Sequence, residues 1–493
     1  MYISKIKLTN FRCFQGTQTL EFCEGMNFFV GNNNSGKTTI FKAIEFIQSG
    51  KTKENWISKD KSSEHVSVEI EFRGDDLDSL IQNSSLKKYS SYLSEDKKLI
   101  IMRSSEPGEW TDSKGKTKCL ELKNIRIFNP STKIFENPSG IDSTITALFD
   151  AQFVYSDLKN EDYQDFGKTK IVGKLINEVT KDFQQDESWR RLQEAHKNAF
   201  GINGLASTLK KIQKQLEEIL EDQYGKTKVE FDFGLPGIEN FLKTGNILLE
   251  ENGVKTSVSE KGTGMQRALA LSLIQLYSQI DRNNKEFSKP ILFFIDEPET
   301  FLHPQAQDKL LDSLTEIANT SQVFITTHSP YLLKKFNKQK HQIKIFSRNL
   351  NEERVRTGEN LNLFPFSPTW GEINYFAFGI VSEEFHNELF GYLHNKIAKL
   401  NKTYNNKECT VSKNSIKTFD CWLDEQIGIE KVDSKHQNTF RSYTDKTMPV
   451  YIRNYIDHPG SNKNDTGINI REKPTQEELR KSINFMIKLN NLN

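Results

Sequence analysis

Residues 1–30 alternate between apolar and polar positions: Tyr2, Ile3, Ile6 and Leu8, then Leu20, Phe22, Met26, Phe28 and Val30. That period predicts half-buried strands with turns at Gly16 and Gly25. After Gly31 the pattern changes to a helix over Thr39–Ile47, and His65–Phe72 (HVSVEIEF) returns to strand alternation. Residues 74–145 are polar, with Ser and Lys clusters, and read as an insertion carrying short strands such as Lys98–Met102. Ile171–Gln223 is charged and largely helical, and in Leu209–Leu220 (LKKIQKQLEEIL) the apolar positions share one face. No heptad repeat runs far enough for a long coiled coil.

Further along, ILFFID (Ile291–Asp296) and Val323–Thr326 read as buried strands separated by a helix. Thr357–Thr369 contains proline, is poor in helix formers and marks a boundary. The tail beyond it is helical and ends in Glu477–Leu492, opened by Pro474 and a Thr475/Glu478 capping box. These patterns predict an α/β head over 1–356, with lobes 1–170 and 226–356 around a helical insertion at about 171–225. A connector over 357–370 and a mostly helical C-terminal domain over 371–493 follow.

Composition changes this picture little. A chain of 493 residues is long enough for two or three cores, and 35% apolar with 27% charged residues suits a water-soluble protein. Net charge is +1, so any nucleic-acid binding would need a local patch. Cys13, Cys23, Cys119, Cys409 and Cys421 are scattered without a CxxC pair, which points to reduced thiols in a cytoplasm. The start, MYISKIKLTNF, lacks the apolar core of a signal peptide, and no run of about 18 apolar residues predicts a membrane span.

The chemistry concentrates in three places. GNNNSGKTT, covering Gly31, Asn32, Asn33, Asn34, Ser35, Gly36, Lys37, Thr38 and Thr39, fits GxxxxGK[ST] between a strand and a helix. Such a loop cradles phosphates on backbone N–H groups, with Lys37 on the β/γ oxygens and Thr38 on Mg²⁺. GKTK recurs at Gly50, Gly115, Gly167 and Gly225, but none of these has a glycine five residues earlier or an apolar strand before it. The apolar strand ILFFID ends in Asp296, which would hold Mg²⁺ through water, followed by Glu297, placed to orient or deprotonate an attacking water. Glu299 is a supporting acid. VFITTHSP puts His328 just past another buried strand, where an imidazole could sense the terminal phosphate.

EKGTGMQRALALSL, Glu260–Leu273, runs from a glycine loop into a helix. It reads either as an ordinary helix cap or as a part that meets the nucleotide of another subunit. FRCF, GNNNSGKTT, KGTGMQRAL, FFIDEPETFLHP and TTHSP in this order resemble the ABC-type ATPases of the SMC/RecF/OLD class. The resemblance covers most of residues 1–340. It implies ATP and Mg²⁺ as ligands, with Arg12 near the nucleotide and a glutamine linking the lobes. Gln152 in FDAQFVY is the candidate for that glutamine, and a buried glutamine without a nucleotide role is the alternative. The resemblance also makes Thr263, Gly264 and Gln266 a signature acting in trans, so that two heads close on shared ATP. Met265 stands where that signature usually has a second glycine.

In the tail, no strand-end Glu with a DxD pair marks the nuclease domain that OLD proteins carry. Glu372, Glu383, Glu384 and Glu388 read as a solvated helix face or docking surface rather than metal ligands, and His386 and His394 lack a metal-ligand spacing. EINYFAFGIVSEEFHNELFGYL and PVYIRNYIDHP resemble the PtuA family, the ATPases of Septu-type and retron-linked anti-phage systems. That resemblance implies a homo-oligomer of head-to-head dimers, an HNH nuclease partner (PtuB-like), and nucleic acid or a retron RNA and reverse transcriptase as further partners. A rival reading takes Arg453 and His458 of RNYIDH as a metal-free ribonuclease pair of the HEPN type. A third, a RecF-like DNA repair clamp, rests on lysine-rich stretches at Lys210–Lys214 and Lys334–Lys344.

Overall fold

The structure, a computed structural model, describes residues 1–493 apart from 51, 83–84, 113–114, 145–147, 157–182, 184–185, 201–203, 232–246, 284–288, 301, 334–335, 350–351, 358–362, 430, 433–445, 459–472 and 493. Gly167, the first part of the expected insertion, part of the second lobe and part of the expected connector therefore lie outside the described residues. The chain divides into two compact units: residues 1–153, 289–299 and 303–493, and residues 154–288 with 300–302.

In the first unit β1 (Tyr2–Thr9) pairs antiparallel with β2 (Thr17–Glu21). β3 (Met26–Gly31) is buried at all six positions and leads through the glycine loop to α1 (Thr39–Ser49). β4 (Ser67–Arg73), β5 (Leu99–Ser104), β6 (Ile125–Asn129) and β7 (Ile134–Glu136) complete an antiparallel sheet in the order β2-β1-β4-β5-β6-β7. The polar stretch 74–145, expected as an insertion, thus supplies half of a sheet. An antiparallel sheet needs apolar residues on one face only. Leu99, Ile101, Ile125 and Ile127 provide that face and are at most 4% exposed.

β8 (Asp150–Val154) opens the second sheet. The second unit then contributes α2 (Glu187–Phe200), α3 (Leu205–Tyr224), an antiparallel hairpin (Leu248–Glu251 with Val254–Ser257) and α4 (Thr263–Asn283). Back in the first unit come β9 (Ile291–Asp296), α5 (Pro304–Ala318), β10 (Gln322–Thr327), β11 (His341–Asn349) and β12 (Glu352–Thr357). The second sheet runs β8-β9-β10-β3-β11-β12, with β9, β10, β3 and β11 parallel and β12 antiparallel on the edge. Continuous apolar runs suit strands covered on both faces, and the rings between them interlock. Phe294 and Phe324 stack with centroids 4.8 Å apart, Phe22 meets Phe324 edge-on at 5.2 Å, and Phe41 of α1 meets Phe294 at 5.4 Å.

The C-terminal part is α6 (Trp370–Phe378), α7 (Glu383–Lys399), α8 (Ile416–Asp424), α9 (Met448–Asp457) and α10 (Gln476–Leu492) around its own core. Leu363 and Phe364 belong to that core. Thr475 and Glu478 form the reciprocal cap of α10, at 2.7 Å and 3.2 Å. Glu372 departs from the solvated face expected of it. It is fully buried and closes the cap of α6, accepting from Thr369 N at 2.7 Å, Ser367 Oγ at 2.7 Å and Leu363 N at 3.2 Å. Glu388 accepts from Thr369 Oγ1 at 2.9 Å. A buried carboxylate must be hydrogen-bonded, and a capping position supplies the donors. His386 is also fully buried, its Nε2 3.0 Å from Ser482 Oγ, and burial pushes its pKa down to about 4. No helix among the described residues is long and apolar enough to cross a membrane.

Phe324 joins three strands of the parallel sheet through its ring contacts. Phe324→Ala should cost about 3–5 kcal/mol, read as a lowered midpoint in thermal or denaturant unfolding.

Candidate functional site: a glycine loop at the parallel sheet edge

Parallel register decides what meets at this edge. Asp296 lies opposite Thr326, and Thr326 and Thr327 lie opposite Phe29 and Val30. The strands β9, β10 and β3 therefore end level, and Glu297, His328 and Gly31 emerge on one side. Gly31 is forced by crowding: a Cβ there would lie 2.1 Å from Phe346 O on β11, and its φ is +143°. Gly36 has φ +92°, and a Cβ would come 2.8 Å from Cys13 Sγ.

Asn32, Asn33 and Asn34 are exposed, whereas Ser35, Lys37 and Thr39 are buried. Ser35 Oγ has no hydrogen-bond partner among the described residues, an unusual state for a buried hydroxyl. The Lys37 ammonium donates to Gly31 O at 3.1 Å and Asn32 O at 2.9 Å, and sits 2.8 Å from His328 Nε2. Burial pulls Lys37 down to about 8, while Glu297, Asp296 and Glu299 act in the opposite direction. Thr38 begins α1 without capping it by its side chain. Its hydroxyl donates instead to Asp296 Oδ1 at 3.0 Å, which also accepts from Thr326 Oγ1 at 2.5 Å.

Glu297 has φ +44°, a left-handed conformation uncommon for a residue with a side chain. Its N–H donates across to Thr326 O on β10 at 3.0 Å, which ties the end of β9 to the neighbouring strand. Glu297 Oε1 lies 3.3 Å from His328 Nε2. Burial first, and Lys37 second, hold the His328 pKa below its ordinary value, against the pull of Glu297 and Asp296. A neutral imidazole accepts the Lys37 proton at Nε2 and cannot at the same time donate from that nitrogen to Glu297. One nitrogen thus stands between a cation and a carboxylate and can serve only one of them. A phosphate group bringing its own negative charge and acceptors would resolve that conflict.

The other expected residues make no hydrogen bond to this set among the described residues. Arg12 is exposed in a left-handed turn (φ +52°), and its neighbour Cys13 touches the loop, with Sγ 3.3 Å from Thr39 Oγ1. Gln152 is buried on β8, and its amide donates to Asp150 Oδ2 at 2.7 Å on the same strand. In the second unit Thr263 opens α4 and Gly264 follows it, with Thr263 and Met265 exposed. Gln266 is buried and folds back to donate to Lys261 O at 2.6 Å, which steadies the loop before the helix. In the C-terminal part Arg453 and His458 approach to 3.5 Å. Arg453 Nε is also paired with Asp457 Oδ2 at 2.7 Å, and Asp457 Oδ1 accepts from Asn387 at 2.8 Å.

Sequence reasoning gave no site role to Thr326, Thr327 or Gln307. Thr326 holds Asp296, Thr327 Oγ1 donates to Glu299 at 2.7 Å, and Gln307 Oε1 accepts from Ser329 Oγ at 2.8 Å. The paired threonines before His328 were the available signal, because hydroxyls inside a fully buried strand need partners.

A family model described as AAA ATPase domain (AAA_15) matches residues 1–333. The chain belongs to this ATPase family. Its α/β head with a parallel sheet, followed by a helical C-terminal part, is the architecture expected from the sequence. It is 28% identical over 349 residues to the Old nuclease of Escherichia phage P2, covering 67% of this chain and 57% of that protein. It is 24% identical over 409 residues to endonuclease GajA of Bacillus cereus, covering 68% and 58%. RecF of Clostridium perfringens is 23% identical over 277 residues, 54% of this chain and 71% of that protein. The chain thus spans a little over half the length of the two nucleases. Among solved structures, an SMC head bound to the C-winged helix domain of ScpA matches with TM-score 0.42 and 15% identity, covering 72% of this chain and 98% of that one.

Histidine NMR tests the electrostatics of this family member's site. The His328 imidazole should titrate below the ordinary histidine value in the wild type. In Lys37→Met its titration should move up, because a repelling cation has gone.

Proposed function

We propose that the chain binds and hydrolyses Mg-ATP at this edge and that the site is completed by a second copy. Convergence carries the reading: Lys37, Thr38, Asp296, Glu297 and His328 come from three strand ends and form one polar set joined through Thr326. The unpartnered Ser35 hydroxyl and the lysine resting on two loop carbonyls fit a phosphate, which offers acceptors to both. A hydroxyl beside a carboxylate is a hard oxygen donor set of the kind that holds Mg²⁺ together with phosphate oxygens. Bound there, Mg²⁺ would supply charge neutralisation on the phosphate chain.

In this reading Lys37 and the loop N–H groups, including those at the start of α1, bind the phosphates. Thr38 and Asp296 would hold the metal, Glu297 would orient the attacking water and take its proton, and His328 would sense the terminal phosphate. Arg12 and Gln152 flank the nucleotide. Thr263 and Gly264, opening α4, offer helix N–H groups to the nucleotide of a partner copy, and Gln266 stiffens that turn.

Beyond hydrolysis, we propose that ATP-driven pairing of two heads controls a nuclease in anti-phage defence. The similarity to the Old nuclease and GajA supports that direction. The nuclease would be a separate HNH partner of the kind that accompanies PtuA proteins, docked on the helical C-terminal part. A retron RNA, a reverse transcriptase or other nucleic acid would be further partners. Cleavage of RNA by the chain itself is the second reading, and the 3.5 Å approach of Arg453 to His458 favours it. The ion pair of Arg453 with Asp457 offsets the charge that an oxyanion would need.

Lys37→Ala should abolish nucleotide binding in a fluorescent-ATP titration. Glu297→Gln should still bind ATP, turn it over at least about 100-fold more slowly, and accumulate as a dimer in light scattering. Turnover by Glu297→Gln at the wild-type rate would remove Glu297 from the role of base.

A further inference from the structure

We infer that Glu299 is a positioning residue for hydrolysis, a brace that sets His328 against Glu297 by holding the turn after β10. This inference rests on the ATPase reading above. Glu299 follows Glu297 by two residues, across Pro298, whose ring restricts the backbone between the two acids. One carboxylate oxygen, Oε1, accepts three donors from three successive residues: Thr327 Oγ1 at 2.7 Å, His328 N at 2.9 Å and Ser329 N at 3.1 Å. The donors bracket His328 and include its own backbone. Ser329 is fixed a second time, since its hydroxyl donates to Gln307 of α5 at 2.8 Å.

Two strand ends that are level by register are thereby locked at one point beyond their last ladder bonds. The imidazole placed by that lock reaches Lys37 at 2.8 Å and Glu297 at 3.3 Å. Glu299 itself is only 8% exposed, and its second oxygen, Oε2, is buried with no hydrogen-bond partner among the described residues. A carboxylate is an expensive group to bury unless it is hydrogen-bonded, and here the bonds fall on Oε1 among the described residues. Burial raises its pKa, opposed by the bonds from the turn. The three donors on Oε1 are what the position provides, and they converge on the backbone that carries His328.

A double-mutant cycle tests this directly, because a residue that acts through another contributes nothing once that other is gone. Steady-state ATP hydrolysis and ATP affinity are measured for the wild type, Glu299→Ala, His328→Ala and the double variant. Glu299→Ala should lower kcat at least about tenfold while ATP affinity stays within about threefold, since the loop is untouched. In the His328→Ala background the same substitution should change kcat by less than about twofold. Glu299→Gln, which keeps an acceptor oxygen in place, should recover most of the rate. If thermal melting shows that Glu299→Ala does not fold, Glu299→Asp replaces it in the cycle, because it keeps the charge but draws the acceptor back.

Additive losses in the cycle would overturn the inference and leave the ATPase reading intact. Loss of affinity in step with loss of rate would do the same. A wild-type chain that binds no ATP, or binds it and never turns it over, would overturn the ATPase reading and this inference with it.

Discussion

The candidate site depends on the parallel pairing of β9, β10 and β3. Because Asp296 is opposite Thr326 and Thr327 is opposite Val30, three chain segments distant in sequence end on one line. A shift of one residue in any strand would turn every side chain to the other face. Asp296 would then leave Thr38, and His328 would leave Lys37. The stacked Phe294 and Phe324, with Phe22 and Phe41 against them, make such a slip costly. Packing behind the edge thus fixes the chemistry in front of it.

Three features at that edge carry unfavourable energy: a lysine drawn into the loop, a buried serine hydroxyl with no partner among the described residues, and a left-handed glutamate. They sit within one constellation, which is where sites built to hold a ligand concentrate such costs. An anion with several acceptors would relieve the first two. The glutamate's turn is tied to β10 through Thr326, so its conformation belongs to the sheet rather than to the ligand.

Much of this was legible in the sequence because phosphate chemistry needs particular residues at particular offsets. Gly31, Lys37 and Thr38 stand in one short window, and ILFFID announces a buried strand with an acid at its end. One strand of the sheet built from 99–136 was legible, at Lys98–Met102, but the sheet was not, since its strands break the alternation: Ile100, Met102 and Phe128 are apolar yet only half-buried, whereas Arg103 and Arg126 are buried. Glu372 was misread for a related reason. Composition places an acid outside, whereas a capping position gave this one three donors inside. The bracing by Glu299 could not be read from spacing either, because it joins residues 28 to 30 positions apart through backbone N–H groups and one hydroxyl.

Central to the proposed function is that hydrolysis would need two copies, each supplying its Thr263–Gly264 helix start to the other's phosphates. Kinetics at varied protein concentration test this most directly. ATP turnover per chain should rise with concentration and level off as pairs saturate. Turnover per chain that stays constant down to concentrations where light scattering shows only single chains would contradict it.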